Sequence, residues 1–224
     1  MTLDSNGLFQ FVEPNISSPA QQFYRLKAAP NLPAGLVSWW RGDGNYLDSY
    51  GGRNGSNSVT GPTFTAGMRT PAFNFGGTNA LSINSASLPA PWTVCVWVNR
   101  TAADGSKRTL FSGASSSLNL DQDGAGHPGM TLPIASIVFQ NGNVPPGQWT
   151  HLAFVGGPRA VTYLINGVAQ ESALGTSSLP LSVMGAGKDG ISNGLKGAID
   201  EVMIFDRALT PAEVSQVINA TRAP

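Results

Sequence analysis

Apolar and polar residues alternate with a period of two along most of the chain after residue 35. In residues 92–98, three valines fall on one side, whereas Cys95 and Trp97 fall on the other, because successive side chains of a strand point to opposite faces. Apolar residues on both sides predict a central strand that is covered on both faces, and residues 152–155 follow the same pattern.

Two local signals mark a tight turn and the start of a helix. Asn166-Gly167 interrupts the alternating segment 161–170, which predicts a two-residue hairpin, since type I′ turns need positive φ at both central residues. Residues 210–213 read Thr-Pro-Ala-Glu, a capping box with proline at the first helical position, and apolar residues follow at helical spacing. Together with the many short strands, these signals predict an all-β sandwich with one short C-terminal helix.

Residues 1–33 differ from the rest of the chain. The alternation over 9–12 and a second apolar run at 22–26 predict two strand-sized segments, too few for an independent core. Residues 28–33 have the composition of a linker. We therefore predict an N-terminal extension over 1–33 and a sandwich domain over 34–224. The extension is either an arm packed on that domain or the tail of a preceding module.

Composition narrows the class of protein. The 224 residues include 27 glycines and 16 prolines, and 13 basic side chains balance 13 acidic ones. A neutral chain is unlike a nucleic-acid-binding protein, and 41% hydrophobic residues with only 12% charged ones argue against disorder. No run reaches the roughly 18 apolar residues of a membrane span, so no membrane insertion is expected. The single cysteine excludes an intrachain disulfide, and the N-terminal sequence lacks a signal-peptide pattern.

Six motifs occur in order along the chain. They are LVSWW at 36–40 with the glycine-rich loop to residue 55, FNFGG at 73–77 with ALSI at 80–83, WTVCVWV at 92–98, QWTHLA at 148–153, YLING at 163–167 and GAIDEVMIFDRALT at 197–210. In this order the motifs resemble the laminin G-like jelly-roll domains of the concanavalin A-like lectin/glucanase (pentraxin-like) superfamily. The resemblance implies a two-sheet antiparallel jelly-roll sandwich. It does not fix the function, since this fold hosts lectins, enzymes and scaffolds.

Catalytic residues are scarce. Glucanases of this superfamily need acidic residues at alternate positions of one strand, and the four glutamates of the chain show no such spacing. Asp200 and Glu201 are adjacent, so regular alternation would direct them to opposite faces. Only two histidines are present, so a Ser-His-Asp triad is not expected. We predict that the protein is not an enzyme.

Three aspartates are candidate metal ligands. The resemblance implies a structural calcium site built from the first loop and the last strand, which would use Asp43, Asp48 and Asp200. Alternation places Asp200 on the same face as the core residues Val202 and Ile204. In the alternative interpretation, Asp48 caps its turn and Asp200 accepts backbone hydrogen bonds or pairs with an arginine.

Two loops carry candidate ligand-binding residues. A sugar-binding surface needs an aromatic platform and polar groups, which Tyr46, Tyr50 and Arg53 of the first loop could supply. Asp121 and Asp123 lie in a second glycine-rich loop that begins like an EF-hand but lacks the later ligands. The alternative for both is an ordinary surface loop.

The function expected from these features is a non-catalytic carbohydrate-binding or adhesion module. Its partners would be a glycan or polysaccharide and other domains of the same, longer polypeptide, and its location extracellular or at the cell surface. Two alternatives stay open: a structural spacer without a ligand, and a polysaccharide-active enzyme with an atypical site.

Overall fold

A computed structural model of the protein describes residues 2–3, 9–10, 31–57, 60–69, 71–101, 103–175 and 178–222. The chain divides into two compact units, Met1–Pro30 and Asn31–Pro224. In the first unit, β1 (Thr2–Leu3) pairs antiparallel with β2 (Phe9–Gln10). Strand β2 lies in the predicted segment 9–12, whereas the predicted segment 22–26 lies outside the described residues. The role of the extension as arm or module tail stays a prediction.

The described residues of the second unit form fifteen strands and one helix. They are β3 (Leu36–Trp40), β4 (Ser56–Asn57), β5 (Thr63–Ala66), β6 (Pro71–Gly76), β7 (Leu81–Ser82), β8 (Trp92–Arg100), β9 (Arg108–Ser112), β10 (Ser117–Asp121), β11 (Gly129–Thr131), β12 (Ser136–Val138), β13 (Thr150–Gly156), β14 (Ala160–Ile165), β15 (Val168–Leu174), β16 (Val183–Met184), β17 (Lys196–Phe205) and α1 (Pro211–Thr221).

The strands build two antiparallel sheets. The seven-stranded sheet has the order β12-β11-β10-β9-β16-β7-β4, and the eight-stranded sheet has the order β15-β14-β13-β8-β17-β6-β5, with β3 also paired to β17. This arrangement confirms the predicted all-β jelly-roll sandwich with one short helix. Among the described residues, no helix has both the length and the apolar content that a membrane crossing requires.

The main core lies between the two sheets. Val94, Val96 and Val98 of β8 belong to it, together with Leu118 and Leu120 of β10. A second apolar cluster covers the opposite face of the eight-stranded sheet, where Cys95 and Met203 pack against Val214 and Val217 of α1. The prediction that β8 is covered on both faces is therefore confirmed.

The predicted hairpin turn and helix cap are both present in the structure. Asn166 and Gly167 have φ values of 49° and 82°, and they join β14 to β15. Helix α1 begins with a reciprocal capping box between Thr210 and Glu213, which satisfies backbone donors that the first turn leaves unpaired. The C-terminal end of α1 is tied to β8, since Trp97 Nε1 donates to Thr221 Oγ1 at 2.9 Å.

One predicted orientation is wrong, because a β-bulge interrupts β17. The pairing with β8 shifts between Asp200 and Met203, and Glu201 has a φ of 51°. The extra residue breaks the alternation, so Asp200 pairs with Trp97 while Val202 and the residues that alternate with it remain in the inner core. The expectation that Asp200 shares a face with Val202 does not hold.

Candidate functional site

A polar pocket lies on the outer face of the seven-stranded sheet. Its floor comes from β9, β10 and β11, where Thr109, Ser117 and Thr131 alternate with the core residues Leu118 and Met130. Its rim comes from the turns around residues 113–116 and 187–193, and its volume is about 210 Å³. The pocket exists because these strands have an apolar face only toward the core.

A chain of hydrogen bonds fixes the polar side chains of this floor. Thr109 Oγ1 donates to Asn119 Oδ1 at 2.9 Å, and Asn119 Nδ2 donates to Gln122 Oε1 at 2.5 Å. Gln122 Nε2 and Lys107 Nζ both donate to Thr131 Oγ1, at 3.3 and 2.9 Å. Thr109 and Asn119 are fully buried. The network therefore holds the pocket floor in one arrangement, as satisfied buried polar groups do.

The rim is organised by a turn on the opposite side of the pocket. Asp189 Oδ1 accepts hydrogen bonds from the backbone N–H and the hydroxyl of Ser192, at 2.8 and 2.9 Å. The backbone N–H of Ile191 also donates to Asp189 Oδ1 at 3.0 Å, and this bond, together with those from Ser192, lowers the pKa of Asp189. The exposed side chain of Lys188 reaches across the rim, and its Nζ lies 3.5 Å from the Ala114 carbonyl oxygen.

Asp48 acts as the organiser of the first loop. Its Oδ1 accepts backbone N–H bonds from Trp39, Tyr50 and Gly51 at 2.8–3.0 Å, and its Oδ2 accepts one from Arg53 at 3.0 Å. Burial raises the pKa of Asp48, but these four bonds outweigh it and lower the pKa overall. The contacts match the alternative in which Asp48 caps its turn.

The two tyrosines of the first loop differ in exposure. Tyr46 is half-buried rather than exposed: its ring stacks on Phe64 with 5.5 Å between centroids, and its hydroxyl donates to the Pro62 carbonyl oxygen at 2.7 Å. Tyr50 is 63% exposed. Of the predicted aromatic pair, only Tyr50 presents its ring to solvent.

Arg53 links this loop to its neighbours. Its Nη1 donates to the Val37 carbonyl oxygen at 2.8 Å and to Ser38 Oγ at 2.9 Å, and its Nε donates to Ser85 Oγ at 3.1 Å. Three of its contacts are therefore made within the protein, and the side chain serves to anchor the loop.

The second predicted ligand-binding loop, which contains Asp121 and Asp123, has one buried carboxylate and one at the surface. Asp121 is 1% exposed, its Oδ2 lies 3.5 Å from Arg100 Nη2, and its Oδ1 accepts the Gly124 N–H at 2.7 Å. Asp123 Oδ2 lies 2.6 Å from His127 Nδ1. Asp121 joins the two sheets through Arg100 at the end of β8, so of the two predicted carboxylates only Asp123 faces solvent.

Asp200 and Glu201 are both buried at the bulge of β17. Asp200 accepts the backbone N–H groups of Met68 and Glu201 at 2.8 and 2.9 Å. Glu201 Oε2 accepts a 2.5 Å bond from Trp39 Nε1, whereas its buried Oε1 has no hydrogen-bond partner among the described residues. Burial raises the pKa of Asp200 to about 6 and that of Glu201 to about 7.

The predicted calcium ligands are only partly brought together. Asp43 lies close enough to Asp200 to influence its pKa and forms a 3.3 Å ion pair with Arg41, whereas Asp48 is occupied by backbone N–H groups. Among the described residues, no three side chains of Asp, Glu, His or Cys group as a metal-ligand set. A calcium ion at Asp43 and Asp200 would therefore need backbone carbonyl oxygens and water, and the calcium prediction stays untested.

The acid and base groups of a hydrolase are held in other contacts. Glu171 Oε2 accepts the backbone N–H of Asn141, and Glu213 belongs to the helix cap. His151 is fully buried, and burial lowers its pKa to about 3. Glu201 is also buried, whereas Glu171 and Glu213 are half-buried in these contacts.

Sequence reasoning missed the polar pocket. The alternation Ser117-Leu118-Asn119-Leu120 already indicated a strand with one polar face. However, the other half of the pocket comes from Lys188 and its turn, about 70 residues later, and the sequence alone contained no signal that joins the two.

Comparisons with known proteins agree on the fold. A family profile, Laminin_G_3 of the concanavalin A-like lectin/glucanases superfamily, matches residues 75–215, more than half of the chain. Among curated protein sequences, none matches the chain.

Three solved structures illustrate the likeness. Domain 4 of AbnA, a GH43 extracellular arabinanase from Geobacillus stearothermophilus in complex with arabinotriose, aligns with a TM-score of 0.68 and 23% identity over 81% of this chain and 97% of that one. The binding domain of Paraclostridial Mosquitocidal Protein 1 aligns with a TM-score of 0.64 and 16% identity over 83% of this chain and 52% of that one. A mutant Trypanosoma rangeli sialidase displaying trans-sialidase activity aligns with a TM-score of 0.60 and 13% identity over 85% of this chain and 34% of that one. At these identities the likeness concerns the fold.

Proposed function

The chain belongs to the concanavalin A-like lectin/glucanase superfamily, and from this premise we propose that it is a non-catalytic carbohydrate-binding module. The observation that carries the proposal is the pocket on the outer face of the seven-stranded sheet. Its lining offers hydroxyl, amide and ammonium groups, which are the partners that sugar hydroxyls need, and the hydrogen-bonded floor beneath them is ordered before a ligand arrives.

The size of the pocket supports a small binding site. Its volume of about 210 Å³ is below the roughly 300–1,000 Å³ of sites for drug-sized ligands. It therefore suits one sugar unit of a longer chain, with the neighbouring units lying over the rim. An open pocket on a sheet face allows an extended polysaccharide to pass across it.

A non-catalytic role is supported by the state of the carboxylates. Glycosidic cleavage uses two carboxyl groups on either side of the bond, about 5–10 Å apart. The adjacent pair Asp200 and Glu201 is 0% and 1% exposed, so a polysaccharide cannot reach it. The raised pKa values of this pair follow from burial and do not require a catalytic task.

The proposed setting is a larger secreted or cell-surface protein. The chain covers 97% of the arabinanase domain but only 52% and 34% of the two other structures described above, as expected for a fold that recurs within longer chains. The arabinanase domain holds arabinotriose, which makes a glycan the first ligand class to test. Adhesion would follow if that glycan is part of a cell surface.

Affinity gels that contain soluble polysaccharides, neutral and acidic, with calcium or with EDTA, test the proposal. We expect retarded migration on at least one of them. Ser115 is exposed at the rim of the pocket, so the bulkier Ser115→Phe should weaken binding at least tenfold. Tyr50→Ala, in the first loop, should bind like the wild type.

Each other result has a clear meaning. Loss of binding in Tyr50→Ala but not in Ser115→Phe would move the site to the first loop. No retention on any polysaccharide, with or without calcium, would overturn the proposal and favour a structural spacer. Release of reducing sugar would contradict the non-catalytic role.

A further inference from the structure

Two of the four lysines of the chain line the polar pocket. Lys107 is half-buried, and its ammonium group is held at 2.9 Å from Thr131 Oγ1 on the β11 side. The ammonium group of Lys188 lies on the opposite rim, 3.5 Å from the Ala114 carbonyl oxygen. The pocket is thus flanked by a positive charge on each side.

Neither positive charge is neutralised by a carboxylate in the described part of the chain. Asp104 is shared between Arg108 and Lys196, and Asp189 directs one oxygen to the backbone and hydroxyl of its own turn. In a chain with equal numbers of acidic and basic side chains, two unpaired cations at one pocket are a local excess. That excess attracts an anion.

The remaining lining residues indicate how a sugar would be held. They are serines, threonines, glycines and an asparagine, and no aromatic side chain is among them. Without an aromatic platform, the apolar face of a neutral sugar ring has nothing to stack on. Recognition must then come from hydrogen bonds and charge, which favours a sugar with an acidic substituent.

We propose that the pocket recognises an anionic glycan, with the carboxylate or sulfate group of one sugar unit between Lys107 and Lys188. This inference rests on the proposed function and adds the ligand class to it. The accessible hydroxyl and amide groups of the lining, from Ser115, Ser116 and Asn193, bind the sugar hydroxyls. The two ammonium groups form charge-assisted hydrogen bonds with the acidic substituent.

Pairs of polysaccharides that differ only in charge provide the test. Polygalacturonate is compared with its fully methyl-esterified form, and dextran sulfate with dextran, by affinity gel electrophoresis and calorimetry. We expect binding to the charged member of at least one pair and a marked weakening between 50 and 300 mM salt, since exposed charges are screened. The two pairs separate a carboxylate from a sulfate ester as the preferred group.

Matched variants locate the effect. Lys107→Gln should weaken binding about tenfold and the more exposed Lys188→Gln about threefold. Arg159→Gln removes one positive charge from the exposed turn between β13 and β14 of the other sheet and should leave affinity unchanged. Thermal melting of each variant confirms that it is folded.

The outcomes separate this inference from the proposed function. Equal binding of charged and neutral members, blocked by Ser115→Phe, would overturn the anionic ligand and leave the carbohydrate-binding role standing. Equal losses of affinity in Lys107→Gln, Lys188→Gln and Arg159→Gln would show that binding depends only on the net charge of the protein, and would overturn the pocket as the binding site. Displacement by inorganic sulfate as strong as by the polysaccharide, at matched ionic strength, would indicate a bare-anion site and overturn the glycan ligand. No binding to any polysaccharide would overturn both proposals.

Discussion

The outer faces of the two sheets differ in what covers them. On the eight-stranded sheet, α1 covers the central part of the outer face, with Met203 and Cys95 buried beneath the helix. On the seven-stranded sheet the outer face presents Ser117 and Thr131 to an open pocket. A face that is covered contributes to stability, whereas a face that stays open is available for a ligand.

Polar residues follow the same division. In the eight-stranded sheet, Asp200 and Glu201 are buried, and their pKa values are raised. In the seven-stranded sheet, the buried polar side chains of the floor, Thr109, Asn119 and Gln122, are neutral and are hydrogen-bonded to one another. Burying a charge is expensive unless it is paired, whereas a neutral network can be held ready at little cost.

The largest effect should come from substitutions that compare the two outer faces directly. Met203→Ala removes a fully buried side chain beneath α1 and should lower the free energy of unfolding by about 2–5 kcal/mol. Ser117→Ala, on the outer face of β10, loses only the bond from Asn119 Nδ2 and should cost less than about 1.5 kcal/mol. Urea unfolding measures both. Equal costs would show that the two faces do not differ in their contribution to stability.

The buried carboxylates should make stability depend on pH. The pKa of Glu201 is raised to about 7 and that of Asp200 to about 6 by burial, so between about pH 4.5 and 7 the native state holds more protons than the unfolded state. The free energy of unfolding should therefore fall as the pH rises through this range and level off above it. The contribution of Glu201 to this change in the free energy of unfolding is up to about 3 kcal/mol.

Two variants isolate this contribution in urea titrations at a series of pH values. Glu201→Gln should flatten the fall between about pH 4.5 and 7. The hydrogen bond that Trp39 Nε1 donates to Glu201 lowers the pKa of this carboxyl. Trp39→Phe removes that bond, so the pKa of Glu201 should rise and the fall in stability should shift to higher pH. A Glu201→Gln profile parallel to that of the wild type would contradict the assignment.

The smallest expected effect on stability is that of calcium. If Asp43 and Asp200 hold a calcium ion, a concentration ten times the Kd should stabilise the fold by about 1.4 kcal/mol, or about 3–6 °C in Tm for a domain of this size. Asp43→Asn should abolish the shift. Asp48→Asn should lower Tm with and without calcium, because it weakens the backbone bonds of the first loop. Identical melting in calcium and in EDTA would contradict the calcium site.

Much of the fold could be predicted from local sequence. The alternation in residues 92–98 identified β8 as covered on both faces, and the capping box identified α1, because these features depend on neighbours in the chain. The polar pocket was not predicted, and the predicted ligand-binding residues stay untested. Asp48, Arg53 and Asp121 have the residue types of ligand-binding groups, yet all three are engaged in contacts within the protein.

The sequence by itself determined the central strands β8 and β13, the hairpin, the helix start and the family likeness, since each rests on residue types at short spacing. Only the tertiary structure decided the orientation at the bulge of Asp200 and Glu201, because one extra residue in β17 is defined by its pairing with β8. It alone also brought Lys107 and Lys188 to one pocket. Their meeting depends on how distant segments of the chain pack side by side, and no local pattern encodes that.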